Sequence, residues 1–455
     1  MGLTHLQFNS TYNNKLKYLP KTITHLTFGG FNKAVDRLPK LTHLEFLDTG
    51  SIVAFNQPVD KLPHTLTHLT LSSSFTQSVN ELPSSLTHLT FGSKFNSGID
   101  KLPPNLVHLI FCMRSLFNQR VDNLPSKLTR LEFGQAFDMP VENLPKTITH
   151  LQFGSGFNHQ VDNLPPGILC LSFTHQSVSY FADSFNQRID CLPNSITHLT
   201  LSKAFSQPVK RFPKNLVCLM LGGFNLHIGS LPVGLTHITF GDHFTQEIQN
   251  LPGSLTHITF GSDFCQPVDD LLPSFVTHLT FGKMFDFPVG HLPPAITHLV
   301  FGASFNQNVD HLPQRLTHLT LGEMFNQHVD KLPHSLTHLQ FKSLQYRSPT
   351  LFNQPVDHLP PDLYHLTLSD AFNQPLEHLP SRLGEIVFGE GFNQPLKHLP
   401  TTIVNITFGA CYGKVLHNFP TWLHPVYFGN FRVIAEAGNF YQLLSLVMEL
   451  GRKDV

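Results

Sequence analysis

The sequence predicts a β-rich solenoid, a curved parallel sheet of about 21 short repeats with an irregular convex side and a short C-terminal helical cap. Three observations carry this expectation. A phrase of 20 residues recurs along most of the chain, its apolar positions alternate as a strand requires, and Leu-Pro pairs interrupt any run long enough for a helix.

The strand comes first in each unit. Leu66-Thr67-His68-Leu69-Thr70-Leu71 returns 20 residues later as Leu86-Thr87-His88-Leu89-Thr90-Phe91. The full unit reads L-T-H-L-T-F-G-x-x-F-N-Q-P-V-D-x-L-P-x-x. Its third position runs through His5, His25, His43, His68, His88, His108, Arg130, His150, Cys170, His198, Cys218, His237, His257, His278, His298, His318, His338, His365, Glu385, Asn405 and Pro425, so 15 of 21 are His. Leu and Phe at positions four and six share one face, and His and Thr at three and five take the other. With position one as a further buried anchor, this is the L-x-x-L-x-L grammar of leucine-rich repeats, in which each repeat adds one parallel strand and returns through turns. About twenty rungs at the usual strand spacing of roughly 4.8 Å would extend on the order of 100 Å.

The remainder of the unit follows. Gly at position seven, as in Gly92, Gly134 and Gly154, permits a sharp exit from the strand. Phe three places on, from Phe75 and Phe95 to Phe372 and Phe392, is expected to stack as an internal spine, which accounts for most of the 41 Phe. The Asn, Asp, Thr or Ser after it suits a buried polar ladder that bonds open backbone amides. Leu-Pro, as in Leu82-Pro83, cannot continue a helix and leaves the convex side irregular. Longer steps, such as His43 to His68 and Cys170 to His198, all add residues between strand and Phe-Asn, so insertions fall on one edge. The pattern decays after Phe428, dividing a solenoid over 1–428 from 429–455, where Phe440, Leu443, Leu444, Val447 and Met448 take helical spacing as an amphipathic cap. At the other end Leu3 to Phe8 already form a repeat, leaving an edge through which copies could associate.

Composition narrows the function. The 455 residues carry only 13% charged residues and a net charge of −1, which disfavours nucleic acid as partner. No run of roughly 18 apolar residues and no leader is present, so the expectation is a cytoplasmic chain with no membrane partner. Met1-Gly2 fits the start of a myristoylation signal, but Leu6 stands where that signal needs Ser or Thr. Six cysteines without paired short spacing read as free thiols.

No catalytic, cofactor or metal site is expected. The histidine column sets imidazoles side by side, whereas zinc needs ligands converging in a tetrahedron, so the column reads as a structural ladder in which neutral rings bond neighbours or Thr hydroxyls. Stacked rings that charge together repel, so acidification should weaken the solenoid. Cys170 between His150 and His198 could imitate a thiol–imidazole pair, but it reads as drift at a tolerated position.

Recognition in a uniform array should reside in its deviations. One set interrupts the exposed columns: Arg130, Cys170, Cys218, Glu385 and Asn405 among the His positions, and Glu45, Ile110, Glu132, Met220, Val300 and Val387 among the Thr positions. The other lies in the expanded loops, where Tyr180, Phe181, Tyr346 and Arg347 are side chains common at binding hot spots. The partner-binding candidates are therefore Tyr180, Phe181, Tyr346, Arg347, Arg130, Glu132, Glu45, Met220 and Glu385.

The recurring F-N-Q-P with L-T-H-L-T-F-G closely resembles the FNIP repeat of social amoebae and of giant viruses that infect amoebae, over roughly residues 3 to 428. Here Leu-Pro usually replaces the Ile-Pro of that name. The resemblance implies a leucine-rich-repeat-like solenoid with an interaction role, acting on host proteins if the chain is viral. Many viral relatives carry an F-box ahead of the repeats, and no such segment precedes residue 3. The expected function is a non-enzymatic scaffold for a protein partner of unknown identity. The alternatives are a substrate-recognition component of a ubiquitin-ligase-type complex and a self-assembling structural protein.

Overall fold

The computed structural model describes residues 2–16, 18–47, 54–174, 183–342, 349–396, 399–409 and 412, with the backbone of Val426–Phe428 and Phe431–Val433. The chain divides into two compact units, Met1–Leu235 and Thr236–Val455. No helix occurs among the described residues.

In the first unit, eleven strands of three or four residues run from His5–Phe8 to Cys218–Met220. Each pairs in parallel with its sequence neighbour, and equivalent repeat positions meet: His5 faces His25, His68 faces His88, Arg130 faces His150, and Cys170 faces His198. Burial alternates as the two-residue period demands. In His25–Phe28 the His and Thr are half-buried while Leu26 and Phe28 are buried. The first strand, His5–Phe8, is the exception, since its Leu6 and Phe8 are only half-buried.

The second unit repeats the plan. Strands from His237–Thr239 to Val426–Phe428 run parallel, with His257 facing His278 and His318 facing His338. The expected helical cap over 429–455 is not supported: Phe431–Val433 is a strand that pairs antiparallel with Val426–Phe428. The hydrophobic edge of a last parallel strand can be covered by a hairpin as well as by a helix, and spacing alone does not choose between them. Phe440 to Met448 lie outside the described residues.

Between strands the chain returns through turns. The carbonyl of each Leu-Pro proline accepts the N–H of the next repeat's first residue, as Pro83 does from Leu86 at 3.0 Å and Pro313 from Leu316 at 3.0 Å. Proline fixes the backbone before that turn, and the leucine after it enters the core.

Two aromatic columns fill the interior. In the first unit Phe55, Phe75, Phe95, Phe117, Phe137 and Phe157 stack at 6.1 Å per step. Where the strand of the same repeat ends in Phe, that ring wedges against the spine, as Phe133 does on Phe137 at 3.7 Å; the strand before Phe75 ends in Leu71 instead. Such pairs contribute about 0.5–1.5 kcal/mol beyond burial of their area. The insertions do not disturb the spine: Phe46 meets Phe55 at 3.7 Å, Phe173 meets Phe185 at 3.6 Å, and Phe341 meets Phe352 at 3.8 Å. The described residues on either side of each expanded loop therefore keep the spine in step.

The polar ladder beside the spine is present, but it is half-exposed where burial was expected. Each Asn or Asp Oδ1 accepts the N–H one rung on, from Asn96 to Asn118, Asp138, Asn158 and Asn186, at 2.8 to 2.9 Å. The side chain stays at the surface while the amide it caps is protected.

Candidate functional site

The exposed face of the sheet carries the histidine ladder, and threonine builds it. In thirteen repeats Thr Oγ1 lies 2.8 to 2.9 Å from Nδ1 of the following His. In eleven of these the same hydroxyl reaches a carbonyl of the preceding rung, as Thr87 does to Thr67 O and Thr317 to Thr297 O, both at 3.0 Å. A carbonyl can only accept, so the hydroxyl proton goes there and Nδ1–H donates to Oγ1. The Nε2 lone pair is left toward the open face.

Rings held this way stack. His5, His25, His43, His68 and His88 follow one another at 4.1 Å with planes within 16°. In the second unit, His237 to His338 do the same at 4.1 to 4.2 Å. The two departures have a common cause. His108 follows Val107, lacks the hydroxyl, and turns edge-on to His88 at 75°. His365 follows Tyr364, bonds Glu385 instead at 3.0 Å, and stands 5.7 Å from His338. Desolvation and then neighbouring imidazoles hold His25, His88, His257 and His278 below their ordinary pKa, and His68 and His318 down to about 4.

The first unit's ladder is interrupted after His108. Arg130 donates from Nε to Glu132 Oε1 at 2.6 Å, and the two close on each other as an ion pair. Cys170 and Ser172 replace His and Thr on the strand between His150 and His198. These changes open a depression of about 260 Å³ lined by Arg130, Glu132, His150, Gln152, Cys170, Ser172, His198 and Thr200. His150 and His198 keep their Thr bonds, but among the described residues neither stacks on another ring. Burial raises the Cys170 thiol above its ordinary pKa, with Arg130 opposing, so it stays protonated, the opposite of a nucleophile's requirement.

Of the sequence candidates, Arg130 and Glu132 meet at this depression. Glu45 lies in His43–Phe46 and accepts from Thr27 at 3.5 Å. Met220 ends the strand Cys218–Met220, and Glu385 sits in the second unit with Asn405 Nδ2 donating to it at 2.8 Å. That bond and the one to His365 hold the Glu385 carboxyl below its ordinary value. Tyr180, Phe181, Tyr346 and Arg347 lie outside the described residues. Gln152 and Ser172 were missed, although both depart from Thr at position five as visibly as Glu132 does.

The FNIP repeat family model matches residues 1–31, 78–112, 117–156, 185–224, 225–263, 247–284, 286–322, 308–343 and 372–411. CroV588, a giant-virus protein solved as a novel circular LRR structure, is 35% identical with a TM-score of 0.68, over 94% of this chain and 72% of CroV588. YopM of Yersinia enterocolitica is 16% identical with a TM-score of 0.50, covering 94% of this chain and 91% of YopM. TLR13, solved as a complex with ssRNA13, is 14% identical with a TM-score of 0.50, over 94% and 74% of the two chains. The last two share the fold alone. No curated protein matches the sequence. With the repeat matched over more than half of its length and 35% identity carried across 94% of it, the chain belongs to the FNIP repeat family, a leucine-rich-repeat-like scaffold.

Proposed function

We propose that this protein is a non-enzymatic scaffold that binds a protein partner on the histidine face, addressed by the interruption of the ladder in its first unit. One observation carries the reading: Arg130, Glu132, Gln152, Cys170 and Ser172 all depart from the repeat, and all border one depression. Uniform rungs offer a partner no unique register, and this cluster supplies one. The ssRNA in the TLR13 complex belongs to that protein. Here the local cation Arg130 is already paired with Glu132, and a net charge of −1 gives phosphates little to bind.

The test regularises the site. Arg130→His, Glu132→Thr, Gln152→Thr, Cys170→His and Ser172→Thr together restore the repeat's own letters and should leave the fold intact. Affinity mass spectrometry from amoebal cells should recover specific partners with the parent chain and lose them with the regularised one. Partners retained by the regularised chain but lost on trimming residues 174–184 and 342–351 would move the site to the expanded loops and overturn the proposal. Ubiquitin-ligase components among the partners would mark a degradation role.

Self-association is a second reading, favoured by the half-buried Leu6 and Phe8 of the first strand. A sedimentation coefficient that rises with concentration, and stops rising when Phe8 is changed to Lys, would support it.

A further inference from the structure

The interruption has the dimensions of one missing ring. Along intact stretches the imidazoles stack at 4.1 Å per rung. His150 and His198 flank the Cys170 strand on either side, two rungs apart. Two strand spacings of roughly 4.8 Å, closed slightly as in the intact stack, leave their rings ~8 to 9 Å apart. One flat group would fit between them with a ring on each face.

Resting on the proposed protein-binding role, we propose that the gap over Cys170 is a slot for a neutral aromatic side chain of the partner, a tyrosine or tryptophan, inserted between His150 and His198. The charges select the class. Arg130 at the rim disfavours a second cation, and Glu132 disfavours a carboxylate. The rings are anchored through Nδ1 by Thr149 and Thr197, so their faces are already oriented and little order is lost on binding. Gln152 and Thr200 line the same depression and can accept the O–H or N–H that distinguishes Tyr and Trp from Phe. The depression of about 260 Å³ is large enough for one such side chain.

The full-length chain is tested with 4-methylphenol and 3-methylindole as side-chain probes, cyclohexanol as a non-planar control, and adenosine and uridine as nucleobase probes. Binding is read by saturation-transfer NMR and by upfield ring-current shifts of the His150 and His198 ring protons. The phenol and indole should bind and shift those protons, cyclohexanol should not, and Cys170→His should weaken them at least tenfold by filling the slot with the repeat's own imidazole. Equal binding to Cys170→His, equal binding of cyclohexanol, preference for the nucleosides, or no binding would each overturn the proposal. The shifts in the parent chain decide the matter even if Cys170→His fails to fold. Probes that bind while no protein partner is recovered would sink the scaffold reading and leave the slot standing. Partners retained by Cys170→His while the probes do not bind would do the reverse.

Discussion

At the scale of single residues, the threonine before each histidine decides the ladder's order. His108 and His365 show what happens without it: one ring turns edge-on and the other drops onto a carboxylate. Val107→Thr should therefore bring His108 into the stack and stabilise the chain by about 0.5–1.5 kcal/mol, the usual net value of one hydrogen bond. Urea denaturation checks the energy, and imidazole 15N shifts check the Nδ1–H form. An unchanged midpoint with an unmoved His108 would show that the hydroxyl is incidental. The same ladder gives a pH dependence. His25, His68, His88, His257, His278 and His318 are held below their ordinary value by burial and by neighbouring imidazoles. Burial also lowers His43, His338 and His108, with Glu45 and Glu385 pulling upward on the first two and Arg130 pushing His108 further down. A histidine lowered in the fold is protonated first in the unfolded chain. The stability it contributes is complete above the unfolded value of about 6.5 and is lost as pH falls toward the folded value. For His68 and His318 that lower limit is about 4. The urea midpoint should be level from pH 8 to 7 and fall steadily between 6.5 and 4; a flat profile across that window would refute the assignment.

At the scale of the repeat, the glycine after each strand has a different reason from the one its position suggests. A sharp turn would need a left-handed backbone, and among these positions only Gly222 has one, at φ 55. Gly92, Gly154, Gly261, Gly282, Gly302 and Gly322 are required by close approach: a Cβ on Gly302 would stand 1.9 Å from Gly282 O. Gly302→Ala should cost about 1–3 kcal/mol as overpacking. Gly253, with nothing within 4 Å of its Cβ, should accept alanine with a gain of about 0.4–1 kcal/mol. Thermal melts of the two variants should move in opposite directions. Serine stands in this place after the three longest expansions: Ser72 donates to Phe55 O, Ser202 to Phe185 O and Ser369 to Phe352 O; after the shorter one, between His108 and Arg130, Gly134 is kept. The strands, the phenylalanine spine and the insertion edge were legible in the sequence because each depends only on a period and on burial. The serine substitution and the threonine clamp were not, because each depends on which atom of a neighbouring rung comes within bonding distance. The depression was half legible. Arg130, Glu132 and Cys170 announce themselves as departures, whereas the ring-sized gap between His150 and His198 follows from the 4.1 Å stack that only the folded ladder reveals.

At the scale of the molecule, what matters is that each rung meets only its neighbours. In the second unit His298 pairs with His278 on one side and His318 on the other, Phe305 stacks between Phe285 and Phe325, and Asn306 accepts from Asn326 while its own amide is capped by Asp286. All three ladders advance by one step per repeat, so removing one whole repeat shifts them together. Deletion of residues 296–315 joins Ala295 to Leu316 and brings His278 against His318, Phe285 against Phe325 and Asp286 against the Asn326 amide in the ordinary register. Stability in such arrays is close to a sum over rungs and their interfaces, so the loss should be one repeat's share, about 1–3 kcal/mol at the usual 0.05–0.15 kcal/mol per residue. Deletion of residues 296–305 instead removes a strand with its spine phenylalanine and leaves a turn facing a strand, so all three ladders lose register at once. Circular dichroism and urea denaturation of the two deletions should show a folded chain with a slightly lowered midpoint for the first and broad, weakened unfolding for the second. Equal damage from both would mean that stability in this unit is not carried from rung to neighbouring rung.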